Sequence, residues 1–501
     1  MGPGCLGGIH RAQRLRLSSV GVVNPHNYLA CNLTPLSSYP DRAGPQGGYS
    51  IHVNGVFHCT VRYRQLLNLH EQLKKEYGSS NLPSFPPKKI LPLSPTQLEE
   101  RRAMLEKYIQ TIGQDSQLVN ADILNGFLLS AQQETSCEKS RQVPLDVYLM
   151  NGYKVSLNVL TTERSVQVLE KVCQQINLPG LYVYYFSLFL IKREEDGSIT
   201  VSRKLQDFES PFISQKAIKG VNRVTLRKSF NFTSYWDPGY DLELMSDSVA
   251  LNLLYVQTVA DVEHGWVLTN KETQQRLALL QARGAKQEVK ITAHTLGFLN
   301  IPNIICTFMK SCYLELAREL KYYGFLQFRS CFCDYPQPGS MVVVSVGNRE
   351  LNLRVRFGDN QEMKEGSFKV TRMRCWRITT LHNKVDKLND SPITTSHQLS
   401  FEYLMSKDKL QWITIASEQA ILMSICLQSM VDELLLKKTG IKRKQNGGVN
   451  ESSKTESSSS IKKLSEKLSS VSLKSSSSKQ LVLSHPFVEN DAFEGIGDDD
   501  L

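Results

Sequence analysis

Three cations near the start of the chain stand in contexts that can build a phosphate site. Arg62 ends a predicted strand beside Tyr63, Lys88 follows two prolines, and Arg101 lies four residues before Leu105 on a predicted helix. Cations on separate rigid elements can converge on a phosphate, which requires both charge and fork-shaped donors. Tyr63 could stack on a flat sugar-like ring. Taken singly, each cation is as well explained as an ordinary surface charge.

A second set of residues could form a groove for an extended peptide. Met373, Cys375 and Trp376 share a predicted strand with several arginines. Residues at helical spacing follow on a long amphipathic helix: Leu427, Gln428, Val431 and Leu435. A peptide can enter between a strand and a neighbouring helix by strand addition. An apolar helical stripe is usually core, whereas Trp376 beside an arginine is less easily explained as core.

Catalytic and metal-binding motifs are missing from the sequence. It has no Walker loop, no Gly-x-Gly-x-x-Gly and no paired His and carboxylate spacing. His264 in "EHGW" is interpreted as a hydrogen-bonded core histidine, and Cys331 and Cys333 as buried thiols, because their spacing does not fit a zinc knuckle. We therefore expect a protein that is not an enzyme and that carries no metal and no cofactor.

Composition limits the class further. The chain has 501 residues, 41% of them hydrophobic, and a formal net charge of +10. Eleven scattered cysteines and no secretory leader favour a reducing compartment. The longest apolar run, 295–309, contains a proline and is shorter than the ~20 residues that span a bilayer. The basic balance fits an anionic membrane or nucleic acid, but aromatic residues are not interleaved with the cations as a stacking platform would require.

Strand and helix patterns divide the chain into blocks. "YSIHVNGVFHCTVRY" predicts a hairpin at Asn54-Gly55, followed by a helix, a proline-rich loop and a second helix. A second hairpin at Asn151-Gly152, a helix and a further strand pair predict a small ubiquitin-like module. A helical stretch follows from about Asp247 to Phe328. Several strands and one long closing helix then predict a sandwich of the phosphotyrosine-binding or pleckstrin-like type.

These modules in this order resemble the PX-FERM sorting nexins. The resemblance is carried by the order of the blocks and by the stretches "RVTLRKS", "TRMRCWRIT", "FEYLMSKDKLQW" and "ICLQSMVDEL". It implies a multidomain α+β fold, in which a PX module precedes a three-lobed FERM-like region and a disordered C-terminal tail. The implied divisions are a disordered or atypical N-terminus (1–48), the PX module (49–136), a ubiquitin-like lobe (143–229), a helical lobe (235–330), a PTB/PH-like sandwich (331–438) and the tail (439–501).

Three stretches depart from the family pattern. Residues 1–48 do not look like the short opening strand of the PX module, and "FNFTS" at 230–234 is additional. Residues 289–312 interrupt a family helix. The last two stretches read like translated intron, and this interpretation predicts that the mature transcript lacks them.

For the PX module, the resemblance implies a site for phosphatidylinositol 3-phosphate. Arg62, Tyr63, Lys88 and Arg101 take the family's headgroup-binding positions, and Arg64 stands where the family usually has a small hydroxyl residue. The apolar loop residues Ile90, Leu91 and Leu93 would then insert into the bilayer, although burial against the module itself is the alternative. The implied location is the cytoplasm and the cytoplasmic face of early endosomes, as a peripheral protein.

For the sandwich, the resemblance implies recognition of Asn-Pro-x-Tyr or Asn-x-x-Tyr/Phe motifs in receptor tails. Trp376, Val431 and Leu435 match the family's contact positions. The implied partners are the tails of lipoprotein receptors, the amyloid precursor protein and integrin β chains, which the family directs to recycling instead of lysosomal degradation. By analogy, the ubiquitin-like lobe permits Ras-type GTPases. The alternative is a basic nucleic-acid-binding protein or a pure scaffold.

The chain's own end, "FVENDAFEGIGDDDL", contains a copy of the implied ligand. Val488 stands two residues before Asn490, and Phe493 three residues after it. The Ser-rich linker spans about 40 Å and presents the motif at about 1 mM. We therefore predict that Asn490 and Phe493 dock near Trp376 and Val431 when no cargo is bound. The acidic terminus ending at Leu501 resembles the family's signal for the retriever complex.

Overall fold

The structure is a computed structural model. It describes residues 31–35, 48–54, 56–89, 93–115, 117–195, 197–218, 220–229, 238–294, 304–357, 362–383, 395–407, 409–438, 480–484 and 487–493. The chain divides into two compact units. One unit comprises the described residues within Met1–Val53 and Arg62–Asn125, and the other those within Asn54–Val61 and Gly126–Leu501.

The N-terminal elements alternate strands and helices as the sequence predicts. They are β1 (Cys31–Pro35), β2 (Tyr49–Val53), β3 (Val56–Val61), α1 (Tyr63–Tyr77), α2 (Pro95–Gln114) and α3 (Asp122–Ser136). The turn between β2 and β3 contains Asn54 in the left-handed region, with φ of 50°. This conformation is the one that an Asn-Gly hairpin turn requires, so the predicted turn is confirmed. Leu66, Leu69 and Leu73 form the buried face of α1.

The prediction of a disordered N-terminus does not hold at residues 31–35. Residues 1–48 were expected to be disordered or atypical, but β1 pairs antiparallel with β2, with Cys31 opposite Val53 and Pro35 opposite Tyr49. The short segment "CNLTP" carries little strand signal of its own, and its strand conformation depends on a partner 18 residues further along the chain. Residues 1–30 and 36–47 lie outside the described residues.

The helix α2 begins at Pro95 for a local reason. Ser94 is its N-cap, and its hydroxyl oxygen accepts a hydrogen bond from the Gln97 N–H at 3.3 Å. The Gln97 side-chain oxygen in turn accepts from the Ser94 N–H at 3.2 Å, which completes a capping box. Proline at the first helical position costs no hydrogen bond. The cap therefore fixes where the loop ends and where the helix that carries Arg101 begins.

The ubiquitin-like region is a five-stranded sheet with two helices. Its elements are β4 (Gln142–Tyr148), β5 (Lys154–Leu160), α4 (Ser165–Gln175), β6 (Phe186–Arg193), β7 (Ile199–Lys204), α5 (Pro211–Ala217) and β8 (Asn222–Lys228). The strand order is β5-β4-β8-β6-β7, and the pairing of β4 with β8 is parallel. The predicted hairpin turn contains Gly152 with φ of 82°. The first and last strands meet at the centre of the sheet, as a β-grasp requires.

The helical region comes next along the chain, after the last strand of this sheet. Its helices are α6 (Asp241–Met245), α7 (Ser248–Glu263), α8 (Lys271–His294) and α9 (Ile304–Arg318). The Asp247 carboxylate accepts hydrogen bonds from the Val249 and Ala250 N–H groups at 3.0 and 2.9 Å, so it caps α7. The predicted insertion at 289–312 includes the end of α8 and the start of α9. Residues 230–234 and 295–303 lie outside the described residues.

The third region is a strand-rich sandwich closed by one long helix. Its elements are β9 (Leu326–Gln327), β10 (Cys331–Cys333), β11 (Ser340–Gly347), β12 (Glu350–Phe357), β13 (Glu362–Lys369), β14 (Met373–Asn383), β15 (Thr395–Ser406), β16 (Lys409–Ala416) and α10 (Ala420–Lys438). The strands follow the order β13-β12-β11-β10-β16-β15-β14, and β9 pairs with β11. Residues on α10 and on the strands share one hydrophobic core.

Two segments of the C-terminal tail join this sheet. They are β17 (Gln480–Ser484) and β18 (Val488–Glu489), and both pair antiparallel with β14. The tail was expected to be disordered apart from its terminal motif, so the pairing of β17 corrects that expectation for 480–484. Its physical reason is that β14 would otherwise be an open edge with unpaired backbone groups. Residues 439–479 and 494–501 lie outside the described residues.

Candidate functional site

The predicted phosphate site is organised around Tyr63, the first residue of α1. Arg62 is the N-cap of this helix, with extended φ and ψ of −96° and 156°, and its side chain is exposed. The Tyr63 hydroxyl donates a hydrogen bond to the Pro86 carbonyl at 2.8 Å. This bond attaches the proline loop to α1, two residues before the exposed Lys88. The site therefore lies beside the N-terminus of a helix, where N–H groups favour an anion.

Arg101 belongs to the same cluster. Its guanidinium carbon lies 4.5 Å from the centre of the Tyr63 ring, and one terminal nitrogen is buried without a hydrogen-bond partner. Burial raises the pKa of Tyr63 and of Tyr49, and the nearby Arg101 charge opposes that rise for both hydroxyls. A buried guanidinium N–H without a partner is costly unless a ligand meets it. Arg101 is thus held in place by an aromatic ring, with a donor available to an acceptor.

Not all the predicted PX-module residues join this cluster. Arg64 is exposed on α1, one residue further along the helix than Tyr63. Of the three loop residues expected to enter a bilayer, Leu93 is half-buried, while Ile90 and Leu91 lie outside the described residues. Lys88 is exposed on the loop that the Tyr63–Pro86 hydrogen bond attaches to α1. The cluster proper is therefore Tyr63, Arg101 and the tethered loop.

The predicted groove lies between β14 and α10, and we call it the β14–α10 groove. Its floor and walls are deeply buried. Met373, Trp376 and Leu427 are fully buried, Val431 and Cys375 are 2% and 8% exposed, and Gln428 and Leu435 are partly exposed. All the apolar members except Cys375 belong to the sandwich core or pack against it.

Trp376 corrects one expectation. Its position beside an arginine suggested a groove residue that contributes little to the core, but its side chain is fully buried. The indole N–H donates to the Ser424 hydroxyl at 3.1 Å, which joins β14 to α10. The reason is a bulge, because the register of β14 on β15 shifts between Met373 and Cys375. The extra residue lets Met373 and Trp376 both face inward although they are three positions apart.

The tail segment 488–493 occupies this groove. Val488 lies opposite Trp376 and Glu489 opposite Cys375 in an antiparallel pairing. Val488 packs against the sandwich core, and Ala492 is 1% exposed within it. The segment thus adds a strand to the open edge of β14 and also contributes apolar side chains to the interior.

Asn490 makes the most specific contacts of the tail. Its side-chain amide nitrogen donates to the Val370 and Met373 carbonyls at 2.8 and 2.7 Å, and its backbone N–H donates to the Arg374 carbonyl at 3.1 Å. The side-chain oxygen accepts from the Ala492 N–H at 3.0 Å. The Phe493 N–H donates to the Asn490 carbonyl at 3.0 Å, which closes a turn. Asn490 is only 6% exposed. The nitrogen of its side-chain amide donates to the sandwich, and the oxygen accepts from the tail itself.

One carboxyl group beside the groove is unusual. Burial raises the pKa of Asp432 on α10 to about 7, and the charge of Asp491 in the tail adds to that rise. The Gln428 amide donates to Asp432 at 2.9 Å, which acts in the opposite direction. Asp432 is therefore an ionisable group that senses the residue directly after Asn490.

Sequence reasoning missed two residues that contact the tail. The Arg377 guanidinium lies 5.2 Å from the Trp412 ring centre and 5.1 Å from that of Phe487. The sequence pattern shows Arg377 only as one of several charges on the predicted strand, and nothing in it links Arg377 to Trp412. The available signal was an aromatic residue on the polar face of a strand, since Trp412 alternates with the buried Ile413 and Ile415 of β16.

Among the described residues, the cysteines and the histidine that the sequence brings into question form no further site. Cys331 and Cys333 are buried, as predicted, and burial raises their pKa values to about 12 and 11. His264 is exposed, which is not the predicted core position, and its ring contacts the Ala260 carbonyl at 2.6 Å at the end of α7. Within the described ranges, no group of three His, Cys, Asp or Glu residues could hold a metal ion. No described helix is long and apolar enough to cross a membrane.

Family models match four successive parts of the chain. They are the PX domain (residues 49–131), the sorting nexin 17/27/31 FERM domain F1 lobe (143–231), the sorting nexin 17/31 FERM domain F2 lobe (237–297) and the sorting nexin 17 FERM C-terminal domain (324–435). These matches define a class, namely proteins in which a PX domain precedes three FERM lobes.

Curated relatives extend the match to nearly the whole chain. Sorting nexin-17 of Danio rerio is 46% identical over 482 residues, which cover 90% of this chain and 96% of the relative. Sorting nexin-17 of Homo sapiens is 45% identical over 490 residues, or 92% and 98%. Human sorting nexin-31 is 34% identical over 78% of this chain and 82% of its own. The chain belongs to the PX-FERM sorting nexins, a family of membrane-trafficking proteins.

Solved structures give a weaker likeness. The myosin VII MyTH4-FERM MF2 domain of Dictyostelium discoideum is 13% identical and covers 73% of this chain and 70% of its own, with a TM-score of 0.37.

Proposed function

We propose that this chain is an endosomal cargo adaptor. It binds phosphatidylinositol 3-phosphate through the PX domain and Asn-Pro-x-Tyr or Asn-x-x-Tyr/Phe motifs through the third FERM lobe. It works at the cytoplasmic face of early endosomes and directs receptors to recycling instead of lysosomal degradation. Its cargo comprises the tails of lipoprotein receptors, the amyloid precursor protein and integrin β chains.

The observation that carries this proposal is the Asn490 turn in the β14–α10 groove. The groove accepts an extended segment by strand pairing, and it meets the asparagine amide with the Val370 and Met373 carbonyls. Asn490 is only 6% exposed. A residue at this position that cannot donate two hydrogen bonds would leave both carbonyls without these partners, which costs free energy in a buried site. A cargo tail with the same motif has the chemistry to replace the chain's own segment.

The lipid half of the proposal draws on the Tyr63 cluster. Arg101 holds a buried N–H that lacks an acceptor, and Arg62 and Lys88 are exposed cations next to the ring and the tethered loop. Phosphate groups accept from guanidinium forks and neutralise such charges. Arg64 adds a further exposed charge on α1 where the family has a small hydroxyl residue.

The occupied groove also supports autoinhibition. The tail segment blocks the site that cargo would use, so a receptor tail must compete with Asn490 and Phe493. The acidic terminus ending at Leu501 then serves a separate task, the engagement of the retriever complex. Release of the adjacent motif on cargo binding would expose this terminus. Ras-type GTPases remain a further candidate partner of the ubiquitin-like lobe by analogy.

Competition binding tests the cargo proposal. A labelled receptor-tail peptide is titrated into the full chain and into the double variant Asn490→Ala/Phe493→Ala. We expect the double variant to bind the peptide severalfold more tightly, because the internal competitor is lost. The matched control is deletion of Leu501, which should leave peptide binding unchanged and block recycling in cells. Equal affinities of the full chain and the double variant would refute self-competition.

Liposome binding tests the lipid proposal and the nucleic-acid alternative together. The full chain is sedimented with neutral liposomes, with liposomes containing phosphatidylinositol 3-phosphate, and mixed separately with an oligonucleotide. Selective recovery on the phosphoinositide liposomes is the expected result. Equal recovery on both liposomes, or preferential oligonucleotide binding, would favour a basic nucleic-acid-binding protein or a scaffold.

A further inference from the structure

Three side chains stack on the outer face of the sandwich, away from α10. The rings of Phe487 and Trp412 lie 5.6 Å apart between centres, tilted by 49°. The Arg377 guanidinium lies 5.1 Å from the Phe487 ring centre and 5.2 Å from that of Trp412. Cation–ring contacts of about 6 Å or less are attractive, and so are tilted ring pairs at this separation. The stack therefore holds the tail at a second point, three residues before Asn490.

Strand geometry explains why this stack is separate from the groove. Val488 lies opposite Trp376, so the preceding tail residue, Phe487, comes level with Arg377. Successive residues of a strand point to opposite faces, which places Arg377 on the face that Trp376 does not use. Trp412 reaches the same face from β16, opposite Glu402 of β15. Alternate side chains of an extended peptide on β14 therefore contact opposite faces of the sheet.

The surroundings of Arg377 favour an aromatic ligand side chain over an acidic one. Its Nε atom is buried without a hydrogen-bond partner, and the planar group lies against the indole of Trp412. A carboxylate would meet the guanidinium but leave the Trp412 ring uncovered. A lysine would be repelled by Arg377, and an alanine would reach neither group. A planar aromatic side chain satisfies both surfaces at once.

We propose that Arg377 and Trp412 form a specificity subsite that takes an aromatic residue three positions before the motif asparagine. This proposal rests on the proposed function of the β14–α10 groove as a site for Asn-x-x-Tyr/Phe segments. The subsite gives the groove a preference among motif-bearing tails, because those with Phe, Tyr or Trp at this position gain a contact that the others lack. Phe487 is 45% exposed, so the gain is moderate, about three- to tenfold in affinity.

A double-mutant cycle tests the subsite. The protein is the full chain carrying Phe487→Ala together with Asn490→Ala/Phe493→Ala, so that the tail lacks the side chains that would compete with the probe for the subsite and the groove. The probe is a synthetic peptide of residues 485–494, with Phe, Ala or Lys at the position of Phe487. We expect Ala to weaken binding about three- to tenfold and Lys to weaken it more. In the Trp412→Ala background the difference between Phe and Ala should shrink to less than about twofold.

Conservative variants separate contact from stability. Trp412→Phe keeps a ring and should retain most of the preference, whereas Arg377→Lys keeps the charge but loses the planar stack and should lose most of it. If Trp412→Ala fails to fold, the peptide series on the unaltered subsite and on these two variants still decides.

The outcomes distinguish the two proposals. Failure of every peptide to bind, including the one with Phe, overturns the proposed function of the groove. Binding that depends on the motif asparagine but is indifferent to Phe, Ala or Lys three positions earlier overturns the subsite alone.

Discussion

The two candidate sites of this molecule differ in what fills them. The cluster around Tyr63 presents exposed cations at Arg62 and Lys88, while the β14–α10 groove is apolar and is covered by the chain's own tail. Exposed cations are solvated at little cost, so a basic cluster is stable without a bound partner. An open apolar groove costs about 25 cal/mol for each Å² left in water. The difference explains why the groove, and not the basic cluster, is covered by a segment of the chain itself.

The comparison predicts its largest contrast in stability. Trp376→Ala should lower the free energy of unfolding of the third lobe by about 3–5 kcal/mol, because a fully buried ring and its bond to Ser424 are lost. Arg62→Ala changes an exposed residue of the PX domain and should change the free energy of unfolding of that domain by less than about 0.5 kcal/mol. Denaturant unfolding of both variants measures this. A stable Trp376→Ala protein would mean that the groove is separable from the core.

Lipid binding should show the reverse contrast. Arg62→Ala and Lys88→Ala should each weaken binding to phosphatidylinositol 3-phosphate liposomes by about 1.5–3 kcal/mol, or roughly 10- to 100-fold, since each removes a charged contact to phosphate. Lys75→Ala is the matched control, because it removes an exposed charge from the far end of α1. Binding of a receptor-tail peptide should be unchanged in all three. Full liposome binding by Arg62→Ala would contradict the pocket assignment.

The helices, strands and turns of both sites were easier to predict from the sequence than the burial of their side chains. The turns at Asn54 and Gly152 and the helix that carries Arg101 have local signals, because turn residues and caps act within a few positions. The strand at Cys31–Pro35 has no such signal and exists through pairing. The burial of Trp376 depends on a bulge at β14, and a one-residue shift reverses the face of every side chain beyond it.

The contacts of the tail divide in the same way. Asn490 was predictable, because the motif itself names the residue and its spacing. The Arg377–Trp412 stack was not, because it joins residues from two strands that are not neighbours in the sheet. The pairing of β17 with β14 was also missed. The surrounding tail is serine-rich, and this strand forms because the edge of β14 offers unpaired backbone groups.

The groove contains an ionisable group, Asp432, whose burial predicts that the stability of the third lobe depends on pH. The pKa of Asp432 is about 7 in the folded protein, above the ordinary value of 3.8. The folded state therefore retains a proton that the unfolded state loses, and stability falls as pH rises from about 4 to about 7. Between pH 5 and pH 8, Asp432→Asn should lose about 2–3 kcal/mol less of its free energy of unfolding than the unaltered protein.

Denaturant titrations of both proteins at pH 5, 6, 7 and 8 check this prediction. The comparison with the variant cancels the other titrating groups, apart from Asp491, whose charge acts on Asp432. Parallel pH profiles for the two proteins would show that Asp432 ionises without cost in the folded state.

The smallest expected effect concerns the upstream tail strand, which separates strand pairing from motif recognition. β17 pairs with β14 from Thr379 opposite Ser484 to Asn383 opposite Gln480, through backbone groups that any sequence could supply. Replacing both Leu481 and Val482 with proline removes two consecutive N–H groups, one of which must face β14, because successive N–H groups of a strand point to opposite sides. A net backbone hydrogen bond contributes about 1 kcal/mol or less, so self-docking should weaken about two- to fivefold. An added receptor-tail peptide would then bind more tightly by the same factor, a smaller gain in affinity than in Asn490→Ala/Phe493→Ala.

The matched control is Leu481→Ala/Val482→Ala, which keeps both N–H groups and should leave peptide affinity within about twofold of the unaltered chain. Fluorescence polarisation on the three proteins measures this, and an effect of the prolines as large as that of the motif variant would mean that strand pairing, and not the asparagine turn, holds the tail in place.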